Sequence, residues 1–173
     1  LEKGMPVADT VFFGGGTPTR LAPELLASIV NAIPVTSNAE ITIECNPDDV
    51  TVEMMKIYAA AGVNRISMGV QSMVEHVLQS LNRTHDPANV VKAIAAAREG
   101  GITSINLDLI YGVHGESVDD WRTTVEQTIA LQPTHISAYG LTVEAGTPLA
   151  EDPSRHPDDD DQADKYVLAD DLF

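Results

Sequence analysis

The sequence predicts an α/β fold in which parallel strands alternate with helices. Two observations carry that expectation. Short apolar or β-branched runs alternate with helical patterns five times along the chain, and such alternation joins parallel strands by right-handed crossovers. Each run also leads into glycine or polar side chains at its C-terminal end, where sheets and barrels of this kind hold their ligands. The strands read as apolar on both faces, as a sheet covered by helices requires.

Taken in order, residues 1–9 are a polar lead-in and Thr10 to Phe13 is the first strand. It runs into Gly14-Gly15-Gly16, where the backbone can take positive φ and approach a ligand closely. Thr17 and Pro18 suit a cap and first turn. Pro23 to Ile33 is helical, with Leu25, Leu26, Ile29, Val30 and Ile33 on one side. Ala39 to Cys45 is β-branched at Ile41, Thr42 and Ile43 and reads as the second strand. Thr51 caps a helix that stops at Gly62. Arg65 to Val70 is the third strand and ends at Gln71-Ser72. A short helix from Val74 to Leu81 precedes an alanine-rich one that starts at Pro87 and stops at Gly100-Gly101. Ser104 to Ile110 is the fourth strand. Val118 to Leu131 is helical, with Trp121, Val125 and Ile129 on one face. His135 to Thr142 is the fifth strand, and a last helix is expected over Lys165 to Phe173.

At 173 residues, 43% hydrophobic and a mean hydropathy of -0.04, the chain can bury a real core. It has no run long enough to cross a bilayer and no signal peptide pattern. The net charge of -16 argues against non-specific binding to nucleic acid or anionic membranes. Part of it lies in Asp158 to Asp161, read as a solvated loop or helix start. The single cysteine, Cys45, excludes an intrachain disulfide and suits a reducing compartment. The chain begins with Leu1 and enters a strand almost at once, so the N-terminus of the protein is expected upstream.

The strand ends form a constellation. Glu44 and Asn46 follow the second strand, Gln71 and Ser72 the third, and Tyr139, Gly140 and Thr142 the fifth. Asn106 and Asp108 interrupt the apolar run of the fourth. A charge inside a buried strand is costly unless it is paired or faces a polar cavity, so a shared site explains these positions together. Taken alone, Asn106 reads as a satisfied core hydrogen bond. Glu44 and Asp108 accept hydrogen bonds from ribose hydroxyls or an ammonium, and Arg83 suits a carboxylate. An amino acid joined to a nucleoside is S-adenosylmethionine, although other nucleotides satisfy parts of the set. A phosphorylated metabolite fits less well, because no basic cluster accompanies the glycine turn.

The segments Phe13-Gly-Gly-Gly-Thr-Pro18, Glu44-Cys-Asn-Pro47, Gly62-Val-Asn-Arg65, Met68-Gly-Val-Gln-Ser72, Leu81-Asn-Arg83, Asn106-Leu-Asp-Leu-Ile-Tyr-Gly112 and Ile136-Ser-Ala-Tyr139 carry a resemblance. In that order they resemble the radical S-adenosylmethionine family of oxygen-independent coproporphyrinogen III oxidases. Leu141-Thr-Val-Glu-Ala-Gly-Thr-Pro-Leu149 is more similar to the haem-chaperone branch of that family. The resemblance implies a partial (β/α)6 TIM-like barrel of the radical SAM type. Residues 1–150 would form its core, and 151–173 an acidic linker and the start of a further helix.

The resemblance also implies a binding site for S-adenosylmethionine. Gly15, Gly16 and Thr17 would meet the methionyl amino end with Glu44 near it. Arg83 would take the methionyl carboxylate, Gln71 and Asp108 the ribose, and Gly140 the adenine side. The family holds a [4Fe–4S] cluster in a Cys-x3-Cys-x2-Cys loop, and this chain lacks that loop. Cys45 alone cannot ligate a cluster, so no metal site is expected in this chain and an interior fragment of a longer protein is.

The functions implied are haem binding and transfer, with haem-acceptor proteins and an electron donor as partners, in the cytoplasm. The alternatives are oxidative decarboxylation of coproporphyrinogen III and a cluster-less barrel without radical chemistry. His76, His85, His114, His135 and His156 are scattered without metal-ligand spacing. Each reads as a surface or core-edge histidine rather than a haem ligand, and His114, in the loop after the fourth strand, comes nearest to an exception.

Overall fold

Alternation along the strands decides which side of the sheet each residue takes. In the second strand Ile41, Ile43 and Cys45 share one face, and Glu40, Thr42 and Glu44 share the other. The same alternation runs through Ile66, Met68 and Val70 against Arg65, Ser67 and Gly69, and through Ile105, Leu107 and Leu109 against Ser104, Asn106 and Asp108. The computed structural model, which describes residue 4, residues 6–83 and residues 86–173, turns these patterns into a sheet with one dry face and one polar face. The expectation of strands apolar on both faces is therefore corrected. His85 lies outside the described residues, as do residues 1–3 and 5 of the lead-in.

The strands are β1 (Ala8–Phe13), β2 (Val35–Cys45), β3 (Arg65–Gln71), β4 (Ser104–Tyr111) and β5 (His135–Gly140). They form one sheet in the order β1-β2-β3-β4-β5, and every pairing is parallel. The helices between them are α1 (Pro23–Asn31), α2 (Val52–Ala60), α3 (Glu75–Ser80), α4 (Pro87–Glu99) and α5 (Val118–Ala130), with α6 (Asp159–Leu172) last. Together the five strands make a half-barrel. Register places Glu44 beside Ser67 and Ser67 beside Asn106, and one step further along Gly69 beside Asp108 and Asp108 beside Ser137. The polar residues thus lie in rows across neighbouring strands.

The apolar face packs under the helices. Ile43, Ile66, Met68 and Leu107 are fully buried there with Met55, Tyr58, Val90 and Trp121, each apolar side chain contributing about 1.5–3 kcal/mol. The helical faces are narrower than expected. Leu26, Ala27 and Val30 of α1 are buried, whereas Leu25 and Ile29 face solvent. Trp121 and Val125 of α5 are buried and Ile129 is exposed.

Several boundaries move, among them the start of β1, at Ala8 instead of Thr10, and the end of α1, at Asn31 instead of Ile33. β2 begins at Val35, four residues before the expected start, because Ala8 pairs with Val35 ahead of a register shift in β1. β5 ends at Gly140 instead of Thr142. The Leu141 N–H still donates to the Tyr111 carbonyl (2.8 Å), and the chain then leaves the sheet. α6 begins at Asp159, not Lys165. The Asp158 carboxylate accepts from the Asp161 N–H (2.9 Å), and Asp159, Asp160 and Asp161 fill the first turn, where negative charge complements the helix dipole. The acidic run is therefore a helix start.

The end of α4 gives a direct test. Gly100 has an ordinary backbone conformation (φ -72°), so space, not conformation, requires glycine there. A Cβ on it would overlap Met55 of α2 and come within 3.1 Å of the Ala96 carbonyl. Gly100→Ala is expected to force α2 and α4 apart and lower the urea midpoint, at a cost of about 1–3 kcal/mol. An unchanged midpoint would show that the two helices adjust freely.

Candidate functional site

A cavity of about 500 Å³ opens on the polar face at the C-terminal ends of the strands. That volume suits a drug-sized ligand. Gly16, Thr17, Glu44, Gln71, Arg83 and Asp108 all line it. Six of the eight residues expected at the site are brought together from five separate loops or strand ends.

The glycine turn and Glu44 are built as a unit. Gly15 and Gly16 have φ of +82° and +60°, in the region that favours glycine. The Gly15 N–H donates to Glu44 Oε2 (3.0 Å), so Gly15 acts by holding the carboxylate and does not itself line the cavity. Gly14 is glycine for room: a Cβ there would stand 2.7 Å from the Phe12 ring and 3.0 Å from Glu44 Oε2. Thr17 precedes the short turn Pro18–Arg20, and its side chain makes no capping hydrogen bond.

Gln71 owes its position to an irregularity in β3. The register shifts between Gly69 and Gln71, and Gln71 has φ of +65°. A non-glycine residue in that region costs roughly 1–2 kcal/mol, and such strain gathers at functional sites. Its amide folds back over Gly69, where a Cβ would lie 2.9 Å from Gln71 Nε2. The Gly69-Val70-Gln71 sequence therefore supplies both a bulge and the room that the Gln71 side chain occupies. Arg83 follows α3 through Asn82 (φ +54°), and its N–H donates to the Leu78 carbonyl (2.9 Å).

Of the two carboxylates that line the cavity, Asp108 makes more side-chain hydrogen bonds. Its Oδ2 accepts from Ser67 Oγ (2.7 Å) and its Oδ1 from Asn106 Nδ2 (2.8 Å). Gly140 falls elsewhere. Its missing side chain would meet Tyr111 Oη (3.4 Å) and Gln162 Oε1 (3.5 Å), and it does not line the cavity. Position in β5 explains this, because Gly140 follows Tyr139, which does line it, and successive residues alternate in side.

Tyr139, part of the strand-end constellation, lines the cavity, whereas Phe12, Arg65, Ser67 and Ser137 line it without having been singled out in the sequence. The period-two pattern in each strand was the available signal. Arg65 is mostly buried, and its nearest polar partners are Thr42 Oγ1 (3.4 Å) and Glu40 Oε2 (4.0 Å).

Cys45 is buried, and its Sγ lies 3.6 Å from the Ser67 carbonyl oxygen. Burial, reinforced by the nearby Asp108, Asp49 and Glu44 carboxylates, pushes the thiol well above its ordinary pKa. A thiol held protonated is a poor metal ligand, and among the described residues no three His, Cys, Asp or Glu side chains gather as a metal site. These residues do not fit an iron–sulfur cluster. They do fit an aminoacyl nucleoside: carboxylates for hydroxyls and an ammonium, an amide, an arginine for a carboxylate, and a turn without Cβ atoms for close approach.

A parallel half-barrel with helices outside, a glycine turn after the first strand and a polar cavity at the strand ends defines the cofactor-binding core of a (β/α)-barrel protein. Residues 3–128 match the model of the Radical SAM superfamily, and the chain belongs to that superfamily. It is 40% identical over 173 residues to "Heme chaperone HemW" of Mycobacterium tuberculosis, an alignment covering 95% of this chain and 44% of that protein. With the Escherichia coli protein of the same name it shares 39% over 155 residues, covering 87% of this chain and 41% of that one. Among solved structures it superposes on the coproporphyrinogen III oxidase HemN of Escherichia coli with a TM-score of 0.82. The identity there is 27%, covering 92% of this chain and 38% of that one. The chain thus spans less than half the length of these relatives.

Proposed function

We propose that this chain is the S-adenosylmethionine-binding core of a haem chaperone, a protein that binds haem and passes it to an acceptor protein. The observation that carries the reading is the 40% identity, over 95% of the chain, to a protein named for that role. In this reading residues 1–150 are the core barrel and 151–173 lead into a further helix. That helix, α6, rests on α5 through Trp121 Nε1, which donates to the Lys165 carbonyl (2.9 Å).

S-adenosylmethionine supplies one-electron radical chemistry when bound together with a [4Fe–4S] cluster. This chain's own residues bind and orient it. Gly16 and Thr17 meet the methionyl amino end and Glu44, held by Gly15, takes the ammonium. Arg83 takes the carboxylate, and Gln71 and Asp108 take the ribose hydroxyls. Gly140 keeps at most an indirect role on the adenine side, through the backbone of β5. The partners are haem or a porphyrinogen, a haem acceptor and an electron donor, and the setting is the cytoplasm. Among the described residues no helix is long and apolar enough to cross a membrane.

The structural likeness to HemN favours a second reading, oxidative decarboxylation of coproporphyrinogen III. One experiment separates the two. The full protein, reconstituted with its cluster, is incubated with coproporphyrinogen III, S-adenosylmethionine and reductant, and in parallel with haem. We expect stoichiometric haem binding, transfer to an acceptor and no protoporphyrinogen IX by chromatography. Multiple turnovers to protoporphyrinogen IX would replace the chaperone reading with the oxidase.

A further inference from the structure

The geometry points to Ser67, Asn106 and Ser137 as positioning residues that hold Asp108 as a two-oxygen acceptor for the vicinal hydroxyls of the ligand's ribose. The inference rests on the S-adenosylmethionine reading above and extends it to three residues with no assigned role.

Four polar side chains from three adjacent strands form one connected network on the concave face. Ser137 Oγ of β5 donates to Asn106 Oδ1 of β4 (3.1 Å). Asn106 Nδ2 donates to Asp108 Oδ1 (2.8 Å) and to Ser67 Oγ of β3 (2.9 Å). Ser67 Oγ in turn donates to Asp108 Oδ2 (2.7 Å). Asn106 and Ser67 are 2% and 6% exposed, so these groups rely on one another. A buried network left partly satisfied would be costly.

The donor and acceptor inventory leaves one arrangement. Both hydrogens of the Asn106 amide are used, one on Asp108 and one on Ser67, while its oxygen accepts from Ser137. Turned over, the amide would set its oxygen against the acceptor-only Asp108 carboxylate, so that contact decides which way the amide faces. Ser137 supports the Asn106 oxygen in that orientation, and Asn106 with Ser67 fixes the Asp108 carboxylate. The terminal torsion of an aspartate is otherwise broad. Each Asp108 oxygen accepts one protein hydrogen bond and retains acceptor capacity. Asp108, Ser67, Asn106 and Ser137 all border the cavity, so that remaining capacity serves a ligand presenting two adjacent hydroxyls.

Sheet geometry explains why these positions cooperate. Ser67 is the lateral neighbour of Asn106, and Ser137 of Asp108. Asn106 and Asp108 are two apart on one strand and share a face. The packed strands hold the network, so the carboxylate is oriented before the ligand arrives. Pre-orientation raises affinity by lowering the ordering cost of binding.

The test is calorimetry on the full protein with two probes, S-adenosylhomocysteine and its 2′,3′-dideoxy analogue. Ser67→Ala and Asn106→Ala are expected to weaken S-adenosylhomocysteine about tenfold and to leave the dideoxy analogue within about twofold of the wild type. Ser67→Thr, which keeps the hydroxyl, is expected to retain the affinity. Should Asn106→Ala fail to fold, Ser67→Ala and Ser137→Ala carry the comparison. Equal losses for both probes would reduce the network to a structural role and overturn the proposal. Loss of affinity in Asp108→Ala with none in Ser67→Ala and Ser137→Ala would overturn it while leaving the cofactor reading intact. Failure of the wild-type protein to bind either probe would overturn both.

Discussion

Lys165→Met is expected to destabilise the protein by about 3–5 kcal/mol at neutral pH, the usual result of removing one partner from a buried ion pair. Lys165 is completely buried. Its Nζ lies 3.1 Å from Glu116 Oε2 and 2.6 Å from Asp161 Oδ2, and donates to the Glu116 carbonyl at 2.8 Å. Glu116 Oε2 also accepts from the Gly112 N–H (2.8 Å), while its Oε1 is buried without a partner. The substitution would strand this carboxylate between the β4–α5 loop and α6.

The pH dependence follows. Burial pushes the Glu116 carboxyl above its ordinary pKa, and Lys165 together with the Gly112 and Val113 N–H groups opposes that rise. A carboxyl whose folded pKa is raised contributes stability below its unfolded pKa and loses it as pH climbs through the folded one. Without Lys165 the rise is less opposed. The variant's deficit should therefore be largest near neutral pH and shrink as Glu116 protonates on acidification. Urea unfolding followed by circular dichroism at several pH values tests both points. A deficit that does not change with pH would mean that lost packing, not the stranded charge, causes the effect.

Asp108→Ala and Arg83→Ala are each expected to weaken S-adenosylmethionine binding by roughly 1.5–3 kcal/mol, the range for hydrogen bonds to charged groups. The two should differ in their effect on folding. Arg83 is exposed and its backbone contact to Leu78 survives truncation, so thermal stability should hold. Asp108→Ala leaves the Ser67 hydroxyl hydrogen and one Asn106 hydrogen without an acceptor, so a lower melting temperature should accompany the lost affinity. Calorimetry with unchanged affinity in both variants would reject the cavity as the cofactor site.

Some of this protein was legible in one dimension. The five alternations of strand and helix stand as read, because hydrophobic period and glycine or proline stops are local signals. Among the cavity residues, Glu44, Gln71 and Asp108 are legible because a polar group at a strand end is conspicuous against apolar neighbours, and Gly16, Thr17 and Arg83 because they stand in short motifs. Ser67 and Ser137 were passed over because a serine inside a strand stands out no more than any small residue. Their importance comes from lateral register, which joins positions 41 and 31 residues away to β4. Gly140 stands outside the cavity lining for a related reason: one step along β5 separates the cavity-lining side from the side facing Gln162 of α6.

The sequence by itself determined the element order, the parallel sheet, the glycine turn and the membership of the chain in a cofactor-binding superfamily. Those features depend on propensity, spacing and short motifs that need no partner to be recognised. Tertiary structure alone decided that the inner face is polar, that Lys165 is buried against Glu116, and that Gln71 sits at a bulge over Gly69. The physical reason is that burial and pairing belong to a residue's neighbours across strands and helices. A lysine on an acidic helix reads as solvated until the fold closes over it and leaves a carboxylate as its partner.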